Sequence, residues 1–147
     1  MRILVTGSGG KIGRQLVPEL KKLGHFVVSL SRKAQPTSDL TIEVDWMSPS
    51  RFLIPEVDLV INLAGQTSAY VARRNRVEDV KNNFLNTQNL LESLVHHKKP
   101  IQFIQIGSLT EIQSHEPIKE GKIRKSHDTF YECGKKITWT LVKQYRS

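Results

Sequence analysis

A tyrosine and a lysine stand four residues apart near the end of the chain, at Tyr131 and Lys135. Residues at this spacing share one face of a helix, so a lysine ammonium there can act on a tyrosine phenol. A free tyrosine has a pKa of about 10, too high for a base at neutral pH, and a nearby cation favours its phenolate form. If a helix carries the two residues, their spacing indicates a proton-transfer pair.

A glycine-rich turn follows the apolar run at the start of the chain. Its glycines are Gly7, Gly10 and Gly13, and Lys11 and Ile12 belong to the same turn. Glycine permits a tight turn and lets backbone N–H groups approach a diphosphate, whose charge a helix N-terminus favours. The turn therefore predicts a dinucleotide cofactor site, and the alternative is a glycine-rich loop without a ligand.

These two motifs belong to an alternating series of strands and helices. Apolar runs predict strands at residues 2–5, 26–30, 41–44, 58–63 and 101–106. Helical spacing predicts helices at 11–23, along 77–95 and at about 129–144, with a short helical turn at 48–54 and loops at 31–39 and 110–127. Such alternation is typical of an α/β fold, a Rossmann-like doubly wound parallel sheet with helices on both faces. Ligands bind such sheets at the carboxyl ends of the strands, where both motifs fall.

Composition narrows the class of protein. The 147 residues suffice for one domain, and 38% hydrophobic with 24% charged residues is ordinary for a globular chain. No stretch is long enough to span a membrane, so we expect a cytoplasmic protein without a membrane partner. The single cysteine excludes an intrachain disulfide, and we expect no metal site. The net charge of +8 would suit nucleic acid, but the basic residues are scattered, so we expect no nucleic-acid partner.

The motifs taken in order resemble the extended branch of the short-chain dehydrogenase/reductase superfamily, the NAD(P)-dependent sugar-nucleotide epimerases, dehydratases and reductases. The glycines fit TGxxGxxG, and Tyr131 and Lys135 fit YxxxK. Further matches are Asp45 after the third strand, Leu63, Ala64 and Gly65 at the fourth, Asn83 in the long helix and Ser108 after the fifth. The similarity runs over practically the whole chain.

The resemblance implies a role for each match. Tyr131 would exchange the proton, Ser108 would orient the substrate hydroxyl or carbonyl, and Lys135 would also hydrogen-bond the nicotinamide ribose. Asp45 would hold the adenine amino group, while the residues of the fourth strand and Asn83 would lie beside the cofactor. Hydride would move between the nicotinamide and a carbon of a nucleotide-sugar or another small-molecule substrate.

The residues after the second strand bear on the choice of cofactor. Relatives that prefer NAD carry an acidic residue there for the ribose 2′-hydroxyl. This chain has Ser31 and Arg32, a hydroxyl and a guanidinium that could hold a 2′-phosphate. We therefore expect NADP, with NAD as the alternative. Trp46 could line the edge of the cofactor or simply pack in the core.

The chain also departs from the family pattern. Glu132 and Gly134 replace a common glycine and serine inside YxxxK, and the usual Tyr-Gly pair is missing after Ser108. We expect residues 1–147 to form an NAD(P)-binding domain truncated after the fifth strand and its helix, with the C-terminal substrate domain absent. A complementary C-terminal half or a homo-oligomer would then complete it. The alternatives are a non-catalytic NADP-sensing module and, less favoured, a basic nucleic-acid-binding domain.

Overall fold

The computed structural model describes residues 1–46, 52–108 and 130–145, and these residues form a single parallel sheet flanked by helices. The strands are β1 (Arg2–Thr6), β2 (Phe26–Ser31), β3 (Leu40–Glu43), β4 (Leu59–Asn62) and β5 (Gln102–Gln105). Their order across the sheet is β3-β2-β1-β4-β5, and every neighbouring pair is parallel. The predicted α/β fold class is confirmed.

Six helical segments accompany the strands within the described residues. They are α1 (Gly13–Lys22), α2 (Ala69–Arg74), α3 (Arg76–Val80), a π-helical turn (Lys81–Leu85), α4 (Asn86–Leu94) and α5 (Phe130–Gln144). The segments α3, π turn and α4 follow one another without a break in the chain. None of the helices in the described ranges is both long enough and apolar enough to cross a membrane.

Side chains alternate across the sheet and build a core on each face. Ile3 and Val5 of β1 pack with Val17 of α1, on one face. Leu4, which points the other way, packs in a second cluster that includes Leu90 of α4. All five are at most 1% exposed. Because burying one such side chain contributes about 1.5–3 kcal/mol, these two clusters hold the helices on both faces.

The strand order reverses between β1 and β4. From β1 the chain moves outwards to β2 and β3, and it then returns to place β4 on the other side of β1. The register pairs Thr6 with Asn62, so the two strands end side by side. The helix after β1 and the chain after β4 leave towards opposite faces, and this opens a crevice at the carboxyl edge, the usual ligand position in such sheets.

The loop after β2 is held in place by one carboxylate. Asp39 accepts a hydrogen bond from the backbone N–H of Val27 at 2.8 Å and pairs with Lys21 Nζ at 2.9 Å. These contacts, the Val27 N–H first, lower the pKa of Asp39 below its usual value of 3.8. The residues that carry Arg32 are thereby fixed beside α1.

Two predicted helices differ in detail from those observed. The helix predicted along residues 77–95 contains the π turn, and an unpredicted helix, α2, precedes it. The sequence does mark these starts, because Ser68 Oγ accepts from the Val71 N–H at 3.4 Å and Asn75 Oδ1 accepts from the Glu78 N–H at 3.1 Å. The helical turn predicted at 48–54 falls largely outside the described residues, and 52–54 are irregular.

Candidate functional site

The glycine-rich turn is closed by its own backbone. Gly7 has φ of 64°, a left-handed conformation that favours glycine, and its carbonyl accepts from the Gly10 N–H at 2.9 Å. A Cβ on Gly13 would lie 2.5 Å from the Gly7 oxygen and 2.5 Å from the Ser8 Cα, both backbone atoms. The first turn of α1 therefore lies directly against the loop, as the predicted phosphate site requires.

The same turn contains a polar atom that lacks a partner. Ser8 is 3% exposed, and its Oγ has no hydrogen-bond partner among the described residues. Ile12, the residue before α1, supplies no side-chain cap, and the N–H groups of Arg14 and Gln15 already donate to backbone carbonyls of the turn at 3.0 Å. An unpartnered hydroxyl beside a narrow glycine cradle, at the positive end of a helix, fits a diphosphate. Lys11 and Ile12 are exposed at the rim of the turn.

A hydrogen-bonded network joins the ends of β1 and β4. The Thr6 hydroxyl donates to Asn62 Oδ1 at 2.5 Å and accepts from the Ala64 N–H at 3.0 Å. Asn62 Nδ2 donates to Gln105 Oε1 of β5 at 2.8 Å. A Cβ on Gly7 would lie 2.9 Å from the Ala64 nitrogen. The network therefore seats residues 63–65 against the glycine-rich turn, as expected for two walls of one cofactor site.

The residues predicted to transfer the proton lie on the other side of residues 63–65. Lys135 is buried, its Nζ lies 5.8 Å from the centre of the half-buried Tyr131 ring, and a Cβ on Gly65 would lie 3.3 Å from that Nζ. This is within cation–π distance, so one face of α5 does present both side chains. Asn83 Oδ1 would lie 2.7 Å from the same Cβ. Ser108 is half-buried and follows β5 at the same edge.

The π turn places Asn83. Its side chain is 2% exposed, with Oδ1 accepting from the Gln66 N–H at 3.1 Å. Its backbone carbonyl accepts from Thr87 Oγ1 at 2.7 Å and lies 3.3 Å from Thr138 Oγ1 on α5. π turns occur frequently at functional sites because they change the direction of one side chain within a helix. The turn brings the Asn83 amide to residues 65–66 and its carbonyl to α5.

The predicted adenine end is less closely packed. Ser31 is buried and its hydroxyl donates to the Lys33 carbonyl, while Arg32 and Asp45 are exposed. Gln35, from the same loop, approaches the glycine-rich turn, since a Cβ on Gly9 would lie 3.0 Å from its Nε2. The loop thus carries two exposed cations, Arg32 and Lys33, and the hydroxyl proton of Ser31 is engaged elsewhere.

Trp46 has a packing role in this structure. Its ring meets Phe52 edge-on, with 5.2 Å between the ring centres, and packs against the core cluster beneath β2 and β4. This matches the packing alternative considered for Trp46. Its place in the cofactor site stays a prediction.

Asp79 is a member of the site that motif reasoning missed. Its carboxyl group is fully buried, its Oδ1 accepts from Asn83 Nδ2 at 2.9 Å, and the charge of Lys135 acts on it. The sequence signal was its position four residues before Asn83, which puts both on one helical face. Burial raises the pKa of Asp79 above 3.8, opposed first by Lys135 and then by the Asn83 hydrogen bond.

This raised pKa predicts a pH dependence of stability. Because the folded chain holds the Asp79 proton more tightly than the unfolded chain, the resulting stabilisation is full below pH 3.8 and is lost as pH rises through the folded pKa. Asp79→Asn removes the titration. We expect the free energy of unfolding of the variant, relative to the parent chain, to rise steadily with pH in urea melts. Parallel pH profiles for the two proteins would contradict this.

The fold and the crevice define a Rossmann-like protein with its site at the point where the strand order reverses. Residues 3–147, almost the whole of this chain, match the model of the NAD dependent epimerase/dehydratase family. The chain belongs to this family, which confirms the resemblance seen in its motifs.

Several known proteins are similar to this chain. A UDP-N-acetyl-alpha-D-glucosaminuronate decarboxylase of Bacillus cytotoxicus is 27% identical over 154 aligned residues, which cover 96% of this chain and 46% of that protein. The structure of MoeE5 in complex with UDP-glucose and NAD matches with a TM-score of 0.78 and 25% identity, covering 99% of this chain and 49% of MoeE5. A UDP-glucuronic acid 4-epimerase from Bacillus cereus in complex with NAD gives a TM-score of 0.71 at 25% identity, covering 99% and 52%. The chain thus spans about half the length of these relatives.

Proposed function

We propose that this chain is the coenzyme-binding part of an enzyme that modifies nucleotide sugars, with Tyr131 as its proton-transfer group. The proposal depends on one observation: Lys135 and Asn83 lie against Gly65 on one side of residues 63–65, and the glycine-rich turn lies on the other side. One end of a dinucleotide can therefore rest on backbone N–H groups while its other end faces a lysine and a phenol. A bound nicotinamide would supply the hydride acceptor or donor.

Each of these residues has a separate role, which its position in the fold determines. The glycine-rich turn, at the positive end of α1, and the hydroxyl of Ser8 bind the diphosphate. Lys135, held beside Gly65 and within 5.8 Å of the centre of the Tyr131 ring, reaches the nicotinamide ribose. Tyr131 then takes a proton from a sugar hydroxyl, or returns one to a carbonyl, while Ser108 orients that oxygen. The structures of MoeE5 with UDP-glucose or UDP-glucuronic acid, 25% identical to this chain, support a nucleotide sugar as substrate.

Calorimetry tests the coenzyme site directly. We expect the folded chain to release or absorb heat on titration with NADP or NAD and to saturate at one coenzyme per chain. The control is Gly13→Ala, in which the phosphate turn is obstructed and the heat should disappear. If folded protein gives no heat with either coenzyme, the proposal fails.

The charge at the loop after β2 favours NADP over NAD. Arg32 is exposed and can pair with a 2′-phosphate, and no acidic side chain occupies residues 31–35. The neighbours described above hold NAD, so the preference proposed for this chain rests on Arg32.

Arg32→Asp should therefore reverse the preference. A hydrogen bond to a charged group contributes about 1.5–3 kcal/mol, so we expect NADP binding to weaken by about 10- to 100-fold. NAD binding should hold or improve, because a carboxylate can accept from the ribose 2′-hydroxyl. Lys33→Asp changes the net charge equally and serves as the matched control. An unchanged ratio of the two affinities in Arg32→Asp would refute the assignment.

The second candidate is a coenzyme-sensing module without turnover. Such a module needs a coenzyme site and needs neither Tyr131 nor Lys135. A module of this kind would keep its coenzyme response when Tyr131 is replaced, and it would turn over no UDP-sugar.

A further inference from the structure

A buried carboxylate lies under the helix that carries Tyr131 and Lys135. Asp79 is fully buried, and its second oxygen, Oδ2, has no hydrogen-bond partner among the described residues. A buried carboxylate without full pairing is costly to the fold, and pairing of such groups is the general rule. A cost of this kind is expected where the group serves the site itself.

Gly134 provides the space for this carboxylate. A Cβ at residue 134 would lie 3.0 Å from Asp79 Oδ2 and 3.8 Å from Asn83 Nδ2. Glycine inside a helix costs about 1 kcal/mol relative to alanine, so nothing in the helix itself favours it. The absence of a side chain at Gly134 therefore lets α5 pack closely against the Asp79 carboxylate of α3. At this packing distance the charge of Lys135 lowers the pKa of Asp79.

Asp79 also decides the orientation of an amide. A carboxylate only accepts hydrogen bonds, so its Oδ1 can pair with Asn83 Nδ2 but not with Asn83 Oδ1. The amide oxygen is thereby turned towards the Gln66 N–H, which it holds at 3.1 Å. Gln66 follows Gly65, the residue against which Lys135 Nζ lies.

The charge of Lys135 lowers the pKa of Asp79, against the effect of burial. Other ionisable side chains lie on the elements packed against α3, with Arg73 and Arg74 exposed on α2 and Glu132 buried on α5. These side chains are Tyr70, Arg73, Arg74, Lys81, Tyr131, Glu132, Cys133, Lys136 and Lys143.

We propose that Asp79 is a positioning residue for the proton-transfer pair: its carboxylate fixes the Asn83 amide and provides the negative charge that balances the buried Lys135 ammonium, in a space opened by Gly134. The effect on the coenzyme rests on the function proposed above, whereas the electrostatic interaction between Asp79 and Lys135 does not. Lys135 is then held beside Gly65, where the ribose would lie.

Carbon-13 NMR of the aspartate carboxyl groups tests the electrostatic interaction between Lys135 and Asp79. The Asp79 signal is assigned by its loss in Asp79→Asn. Lys135→Met should raise the pKa of Asp79 further, because the opposing charge is gone, and Lys135→Arg should keep it close to that of the parent chain. Lys136→Met, on the next residue of α5, should leave it unchanged. Equal responses to Lys135→Met and Lys136→Met, or no response to either, would overturn the proposal.

Coenzyme calorimetry on the same variants tests the consequence. We expect Asp79→Asn to weaken coenzyme binding by about 3- to 10-fold, the range of one net hydrogen bond. In the Lys135→Met background, Asp79→Asn should add little, because the group it acts through has been removed. A full effect in both backgrounds would assign Asp79 a merely structural role and overturn the proposal. A parent chain that binds no coenzyme would refute the proposed function. The NMR titration would still show whether Lys135 and Asp79 interact electrostatically.

Discussion

Replacing Tyr131 with phenylalanine should leave coenzyme binding nearly unchanged while lowering turnover of a UDP-sugar by about 10²- to 10⁴-fold, the usual contribution of a positioned acid or base. The ring of phenylalanine keeps the contact with Lys135, whose Nζ lies 5.8 Å from the ring centre, so the helix and the lysine should stay in place. Only the transferable proton is lost. The measurement is the change of nicotinamide absorbance with a panel of UDP-sugars, paired with calorimetry of the coenzyme.

Tyr70→Phe is the matched control, since Tyr70 is 63% exposed on α2 and its ring stacks with Arg74. It should leave turnover as it was. A parent chain that turns over, together with a Tyr131→Phe variant that turns over equally fast, would remove Tyr131 from the mechanism. A parent chain that binds coenzyme and gives no turnover would favour the sensing module.

Gly13→Ala should both destabilise the chain and abolish the phosphate site. The added methyl group would meet the Gly7 oxygen and the Ser8 Cα at 2.5 Å and the Ser8 oxygen at 2.6 Å, all of them backbone atoms that cannot turn aside. Overpacking of this kind costs about 1–3 kcal/mol, and contact with backbone puts this case near the upper end. The displaced turn would also lose its charge-assisted hydrogen bonds to the diphosphate, so coenzyme affinity should fall by about 100-fold or more and the heat of binding should no longer be seen in calorimetry.

Gly9→Ala separates this steric effect from the loss of any glycine in the turn. There the nearest atom is Nε2 of the Gln35 side chain, at 3.0 Å, which can rotate away. Urea unfolding should show a change within about 1 kcal/mol for Gly9→Ala. Similar losses of stability in the two variants would contradict the close packing inferred at Gly13.

The sheet was predictable because its strands are short apolar runs separated by clear turn residues. The β4 segment is nearly continuous in apolar side chains, as a strand covered on both faces must be, and β1 beside it follows the same pattern. The strand order could not be derived from periodicity, because apolar spacing does not say which strands are neighbours.

The site was predictable where a motif recurs at fixed spacing and unpredictable where two distant segments must meet. The lysine and tyrosine on α5 needed only helical geometry. The approach of Gly134 to Asp79 depends on how two helices far apart in the chain pack, and no local pattern encodes that distance. The helix α2 was missed because its six residues are too few to show a periodic apolar face.

The π turn at Lys81–Leu85 determines which way the side chains of the preceding helix α3 point around the helix axis. An α-helix advances about 100° per residue, so deleting one residue here to restore a regular helix would swing the preceding turn by that angle about the axis. Asp79 and Arg76–Val80 would then present a different face to α5. A single-residue deletion would thus move Asp79 away from Gly134 without altering either residue. The length of the π turn is therefore a determinant of the site, in addition to its side chains.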